Sequence, residues 1–219
     1  MNYLPLALLL ALSPAFATQA DDDGGDEPLV INGCVIAEAS QCPGANLRGA
    51  KLANQDMRKM NLAGADLRDA DLRHTRLDLA NLEKARLQGA NLTRASLQQS
   101  NLRLADLSGA RLMAVQGWGL FAQGAQFEKA DLSAAYLQFA RLTGAKMQQA
   151  NLQAADLEMA WLSKTDLQGA HLNDANLQEA KLGQSNLARA DLTGARQHYG
   201  NFQDADMQGC SGCPDSWDH

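Results

Sequence analysis

Residues 64–72, Gly64-Ala65-Asp66-Leu67-Arg68-Asp69-Ala70-Asp71-Leu72, set down the triplet Ala-Asp-Leu twice, five residues apart. On a helix, leucines five apart drift by about 140° at each step, and on a strand they alternate between faces. Neither element gathers them onto one apolar surface. The spacing therefore points to a structure whose own unit is five residues long.

The unit extends well beyond those nine residues. From Ala45 to Gly209 the chain divides into 33 consecutive pentapeptides without an insertion, and 25 of the central positions, numbered in 2 or 7, are Leu. The exceptions are Met57, Gly117, Ala122, Phe127, Met147, Gln197, Phe202 and Met207. Ala stands two residues earlier in 24 repeats, and Asn or Asp stands directly before the centre in 18, so the small residue and the Leu are expected to point inward and the rest outward. A coil that repeats one corner and one short extended piece per side would stack on itself and pair its backbones, with Asn, Asp and Gly serving the turns.

Ala65-Asp66-Leu67, Ala90-Asn91-Leu92 and Ala190-Asp191-Leu192 resemble the pentapeptide repeat family. The resemblance implies an all-β, right-handed quadrilateral parallel β-helix with four pentapeptides per coil, here about eight coils with capped ends, about 40 Å long at a strand spacing of about 4.8 Å. A solenoid needs its ends covered. Residues 28–44 are expected to cap the first coil with Cys34 and Cys42 as a clip, and residues 210–219, with Cys210, Cys213 and Trp217, to close the last.

Residues 1–20, with an apolar run from Leu4 to Leu12 and small residues near Ala15 and Ala17, have the layout of a secretory signal peptide, although no Lys or Arg precedes the run. The run is too short to span a bilayer, which takes about 20 residues. Residues 21–27, DDDGGDE, read as an acidic flexible tail. An even cysteine count in two pairs suits structural disulfides in an oxidising compartment better than a redox or zinc half-site, so the expected location is periplasmic or secreted.

Chemistry-bearing motifs are sparse. His74 and His171 fall on outward positions, His198 follows the irregular Gln197 and His219 is terminal, with no metal-ligand spacing among them. No phosphate loop, nucleophile elbow or HExxH occurs. No catalytic residue, cofactor or metal is expected.

All 19 Lys and Arg lie within 45–209 against 17 Asp and Glu there, so the repeats are near neutral while the chain carries −6. The basic residues concentrate before residue 114 and the acidic ones after 120. The family includes gyrase-protecting rods that resemble DNA by being acidic along their length. That analogy offers a topoisomerase such as DNA gyrase as an alternative partner, but this charge distribution and an export signal fit it poorly, and no nucleic acid partner is expected.

Residues 115–124, VQGWGLFAQG, keep the five-residue count but lose the Leu centres and the Ala positions. They are expected to form a bulged corner or surface loop with Trp118 and Phe121 folded over it, or alternatively a partner-contact loop. If four pentapeptides make a coil, residues 20 apart stack, which sets Phe139 beside Met159 and Arg141 beside Trp161, with Tyr136 nearby. Trp118, Phe121, Tyr136, Phe139, Arg141, Met159 and Trp161 thus form a candidate partner surface across two adjoining faces. The expectation is a non-catalytic interaction scaffold, monomeric or homodimeric, with an unknown protein partner.

Overall fold

The computed structural model describes residues 28–214. The expected signal peptide, the acidic tail and Trp217 lie outside the described residues.

The backbone pairs with itself in steps of 20 residues. Parallel bridges link Gln41 to Asn61, Asn61 to Asn81 and so on to Asn201, and three further columns start at Asn46, Lys51 and Asp56. Each coil therefore spends four pentapeptides, one per column. Pairing is only one residue long at each side, because the remainder of every pentapeptide is committed to the corner.

The donors of one repeat show why the unit is five residues long. In 71–75, the Asp71 N–H donates to the Ala50 carbonyl of the preceding coil at 2.9 Å. Leu72 and His74 donate to Asn91 and Thr93 of the following coil at 2.8 and 3.1 Å, and Thr75 closes the turn onto Leu72 at 3.2 Å. The fifth donor, the N–H of Arg73, is taken by the side chain of Asp71 at 3.3 Å. Every Asn or Asp that stands directly before a central residue in 45–209 accepts the N–H two residues on in this way, as Asn46, Asp131 and Asn201 do. The Asn/Asp preference thus satisfies the one main-chain donor that the coil leaves over.

The corner also sets a conformational demand. Every residue numbered in 4 or 9 from Ala39 to Gly209 has a positive φ, including Lys84, Leu104 and Phe139. A positive φ at the third turn residue is the type II requirement that usually calls for Gly or Asn. Most of these corners nevertheless carry ordinary side chains, so the paired coils on either side hold the conformation.

Inside, the Leu column is completely buried from Leu47 to Leu192 together with the Ala positions from Ala65 to Ala190, while Ala45, Ala50, Ala195 and Ala205 near the ends are partly buried. Burying each Leu contributes roughly 1.5–3 kcal/mol, much of it offset by chain entropy. Thr75, Ser100 and Thr165 replace Ala at buried positions and donate to the carbonyls of Leu72, Leu97 and Leu142.

The first coil begins earlier than the expected boundary at residue 45. Gln41 already pairs with Asn61, and Cys42 occupies an inward slot. Before it, β1 (Val30–Ile31) and β2 (Cys34–Val35) form an antiparallel hairpin around Asn32-Gly33, both at positive φ. Asn-Gly between apolar residues is a strong short hairpin signal that the expected cap did not include. The hairpin is fastened by the Cys34–Cys42 disulfide, by Asn32 donating to the Asn46 carbonyl at 2.7 Å, and by Glu38 meeting Arg58 and Lys59 at 3.0 and 2.8 Å.

The pairing also continues past the expected end at 209, to the Asp191–Ser211 bridge, with Cys210 and Cys213 joined as the second disulfide. Gln197 takes a central slot in the last coil and donates to the Gly212 carbonyl at 2.6 Å.

The expected bulge or loop at 115–124 is absent. Gln116 and Phe121 pair in register with Ser96 and Asn101 before them and with Tyr136 and Arg141 after them, and Val115, Leu120, Ala122 and Ala125 are buried. Leu137 of the following coil closes on the space at Gly117, with Leu120 bordering it, so the coil keeps its course.

Candidate functional site

The column of bridges that starts at Gln41 carries Asn at 61, 81 and 101, then Phe121, Arg141, Trp161 and Lys181, and Asn again at 201. These four side chains build an alternating ladder. The Arg103 and Arg141 guanidinium carbons each lie 4.9 Å from the Phe121 ring centre. Arg141 also lies 5.4 Å from the Trp161 ring, and the Lys181 ammonium lies 4.6 Å from it on the next coil. Each ring is approached by cations from neighbouring coils, which is attractive because the ring face is negative.

The adjoining column, which starts at Asp56, carries the rest of the apolar surface. Trp118 and Phe139 pack with ring centres 5.8 Å apart and planes tilted by 58°. Tyr136 sits in the same column between Gln116 and Asp156, and Met159 follows Phe139 one coil on. Trp118, Tyr136, Phe139 and Trp161 are 44%, 46%, 45% and 45% exposed, whereas Phe121 and Met159 are half-buried. The structure thus brings all seven candidate residues onto two neighbouring columns. Arg103 and Lys181 join them without having been singled out in the sequence; the 20-residue offset from Trp161 would have found Lys181, while Arg103 reaches Phe121 from a different slot of its repeat.

Both columns give up the Asn/Asp preference where the surface lies. Four successive rungs lack it in each: Arg76, Ser96, Gln116 and Tyr136 in one, Phe121, Arg141, Trp161 and Lys181 in the other. On the remaining two columns no more than two successive rungs do so between Asn46 and Asp206. In the ladder column the consequence is a row of main-chain donors. The N–H groups of Arg103 and Gln203 are accepted by Asn101 and Asn201, whereas among the described residues none accepts from Gln123, Thr143, Ser163 or Gly183.

Acidic groups elsewhere are held by partners in their own repeat or the adjacent coil. Asp66 accepts from the Arg68 main chain and guanidinium, and that bonding draws its carboxyl down to about 2. Asp191 is likewise drawn down to about 2, first by the Thr193 hydroxyl and then by Asn173. Arg58–Asp56 and Arg73–Asp71 repeat the same local pairing at 2.7 Å.

His74, His171 and His198 are exposed, and among the described residues no three His, Cys, Asp or Glu side chains converge as metal ligands would. Cys210 and Cys213 are bonded to one another. Among the described residues no helix is long and apolar enough to cross a membrane.

Stacked coils with a filled axis define a class of repeat solenoid. The chain belongs to the pentapeptide repeats family, which matches it in 8 copies over residues 45–83, 80–115, 121–149, 130–169 and 170–211. Among solved structures, it is similar to HetL, a pentapeptide repeat protein involved in heterocyst differentiation regulation from the cyanobacterium Nostoc sp. strain PCC 7120. Identity is 27% over 79% of this chain and 87% of that one, with a TM-score of 0.40. Rfr23 from the cyanobacterium Cyanothece 51142 is 32% identical over 53% of this chain and 66% of its own, with a TM-score of 0.30. QnrB1, a plasmid-mediated fluoroquinolone resistance protein, is 18% identical over 78% of this chain and 90% of its own, with a TM-score of 0.50, a likeness of fold. No curated protein matches the chain.

Proposed function

We propose that this protein is an exported, non-catalytic scaffold, a right-handed quadrilateral β-helix that presents the Phe121–Trp161 face and its neighbour to a protein partner. One observation carries the reading. Over four successive rungs the chain abandons the residue type that satisfies its own backbone, then returns to it at Asn201. Local departures from a fold's own rules are expected where function is placed. Large exposed aromatics with paired cations are the side chains that anchor protein contacts.

Export rests on the layout of residues 1–20 and on cysteines suited to an oxidising compartment. The intact mass of the protein from separated cell compartments tests it. A chain that begins near Thr18 or Asp21 in an exported fraction is expected, and a full-length cytoplasmic chain would remove it.

The partner surface is tested by replacing Phe121 and Trp161 with Asn, the residue their column uses at 101 and 201. This variant should keep the fold, because each new side chain can accept the N–H of Gln123 or Ser163. Cross-linking in the native compartment should then lose the partner held by the unaltered chain. Retention of that partner by F121N/W161N would end the surface reading. A DNA-mimicking role ranks lower, since basic and acidic residues nearly balance over the repeats.

A further inference from the structure

The row of unpaired N–H groups specifies what the surface would hold. From Arg103 to Gln184 this face carries the cations Arg103, Arg141, Lys164 and Lys181 and no carboxylate, although the repeats from residue 120 onward are acidic overall. The rings of Phe121 and Trp161 are engaged by cations of neighbouring coils, which leaves their edges, the positive part of an aromatic quadrupole, to complete the same electrostatic sign. Main-chain donors, guanidinium, ammonium and ring edges all favour negative, acceptor-rich groups. The stripe ends at a depression of about 240 Å³ lined by Lys181, Gly183, Asn201 and Asp204, among others.

We infer that the occupant is an acidic segment of a partner protein, laid along the stripe with carboxylates toward Arg141 and Lys181 and apolar side chains against Trp118 and Phe139. This inference rests on the surface reading above and names its chemistry. Charge complementarity selects acid, since the stripe has no anion of its own until Asp204. The exposed Trp118–Phe139 pair beside it selects a peptide, because a bare polyanion offers nothing apolar to cover those rings.

The test uses the full chain and a fluorescein-labelled Glu/Phe/Leu peptide, with a Lys/Phe/Leu peptide and a sulfated polysaccharide as comparators. Fluorescence anisotropy should show binding of the Glu peptide alone, weakening as salt rises. The R141N/K181N variant removes two charges and supplies a side-chain acceptor for the Thr143 and Gly183 N–H groups; it should weaken binding by about tenfold or more. K51N/R111N, on a different column, should leave it unchanged. Equal binding of both peptides, no binding of the Glu peptide, binding of the polysaccharide alone, or an unaffected R141N/K181N would each overturn the inference. If the Glu peptide fails while F121N/W161N still abolishes partner cross-linking, the partner chemistry falls and the surface stands. If the cross-link survives F121N/W161N, the surface reading itself falls.

Discussion

Leu137 reaches into the space that Gly117 leaves vacant: its Cδ2 lies 2.8 Å from where a Gly117 Cβ would stand, and Leu120 Cδ2 lies 3.7 Å from the same point. Leu137 of the following coil takes most of the room that Gly117 gives up, and Leu120, at an Ala position, borders the same space. Gly117→Leu alone should therefore overpack the axis and cost about 1–3 kcal/mol. Gly117→Leu with Leu120→Ala restores the usual residue types and should recover part of that loss, with Leu137 left to shift. Thermal unfolding of both single variants and the double measures the coupling, and simple additivity would show that Leu120 does not share this space.

Ser185 is the outlier among the buried hydroxyls. Ser100 and Thr75 donate to carbonyls at 2.8 and 2.7 Å, whereas the Ser185 hydroxyl is buried with no partner. Ser185→Ala restores the usual Ala and should stabilise the fold by about 1 kcal/mol, while Ser100→Ala should cost a similar amount. Denaturant midpoints for the two variants should move in opposite directions. A lower midpoint for Ser185→Ala would show that its hydroxyl has a bond after all.

Acid should loosen the coil in a defined window. Asp66 and Asp191 ionise near pH 2 in the fold rather than at the ordinary 3.8, so between those values the unfolded chain binds more protons. Their contribution is complete above about pH 4 and is lost as pH falls toward 2. The melting temperature should be flat from pH 7 to 5 with respect to these groups and then fall. Asp66→Asn keeps an acceptor for Arg68 but cannot titrate, so its decline should be shallower. An unchanged slope would remove Asp66 from the account.

Reduction should release the ends before the middle. The Cys34–Cys42 bond closes a short loop and should contribute about 2–3 kcal/mol, with less from the shorter Cys210–Cys213 loop. Hydrogen exchange with and without reductant should show protection lost first near residues 30–45, where the hairpin is clipped to the first coil. Protection that does not change would make the bonds irrelevant to stability.

The period, the inward Ala and Leu positions and the 20-residue pairing of Arg141 with Trp161 could be read from the sequence, because each follows from counting. The purpose of Asn and Asp could be read only as a turn preference. Their real task, accepting the leftover N–H, emerges once every other donor in the repeat has been assigned. The course of 115–124 was not legible, because a sequence shows that Gly117 lacks bulk but not that Leu137 comes from the following coil to fill its place. For the same reason the sequence places Phe121 in a loop, whereas the regular backbone sets it between Arg103 and Arg141.

Twenty residues return the chain to the same face without an insertion from Gln41 to Ser211, which makes the molecule a graduated scale with a phase. Adding twenty residues within the stack would lengthen the scale and leave each face composed as before. Adding five would shift every later residue to the neighbouring face by a quarter turn. Inserted between Phe121 and Arg141, those five would disassemble the ladder while leaving the repeat motif itself intact. Selection for a particular face therefore reaches beyond the residues displayed on it, to the length of every repeat between them.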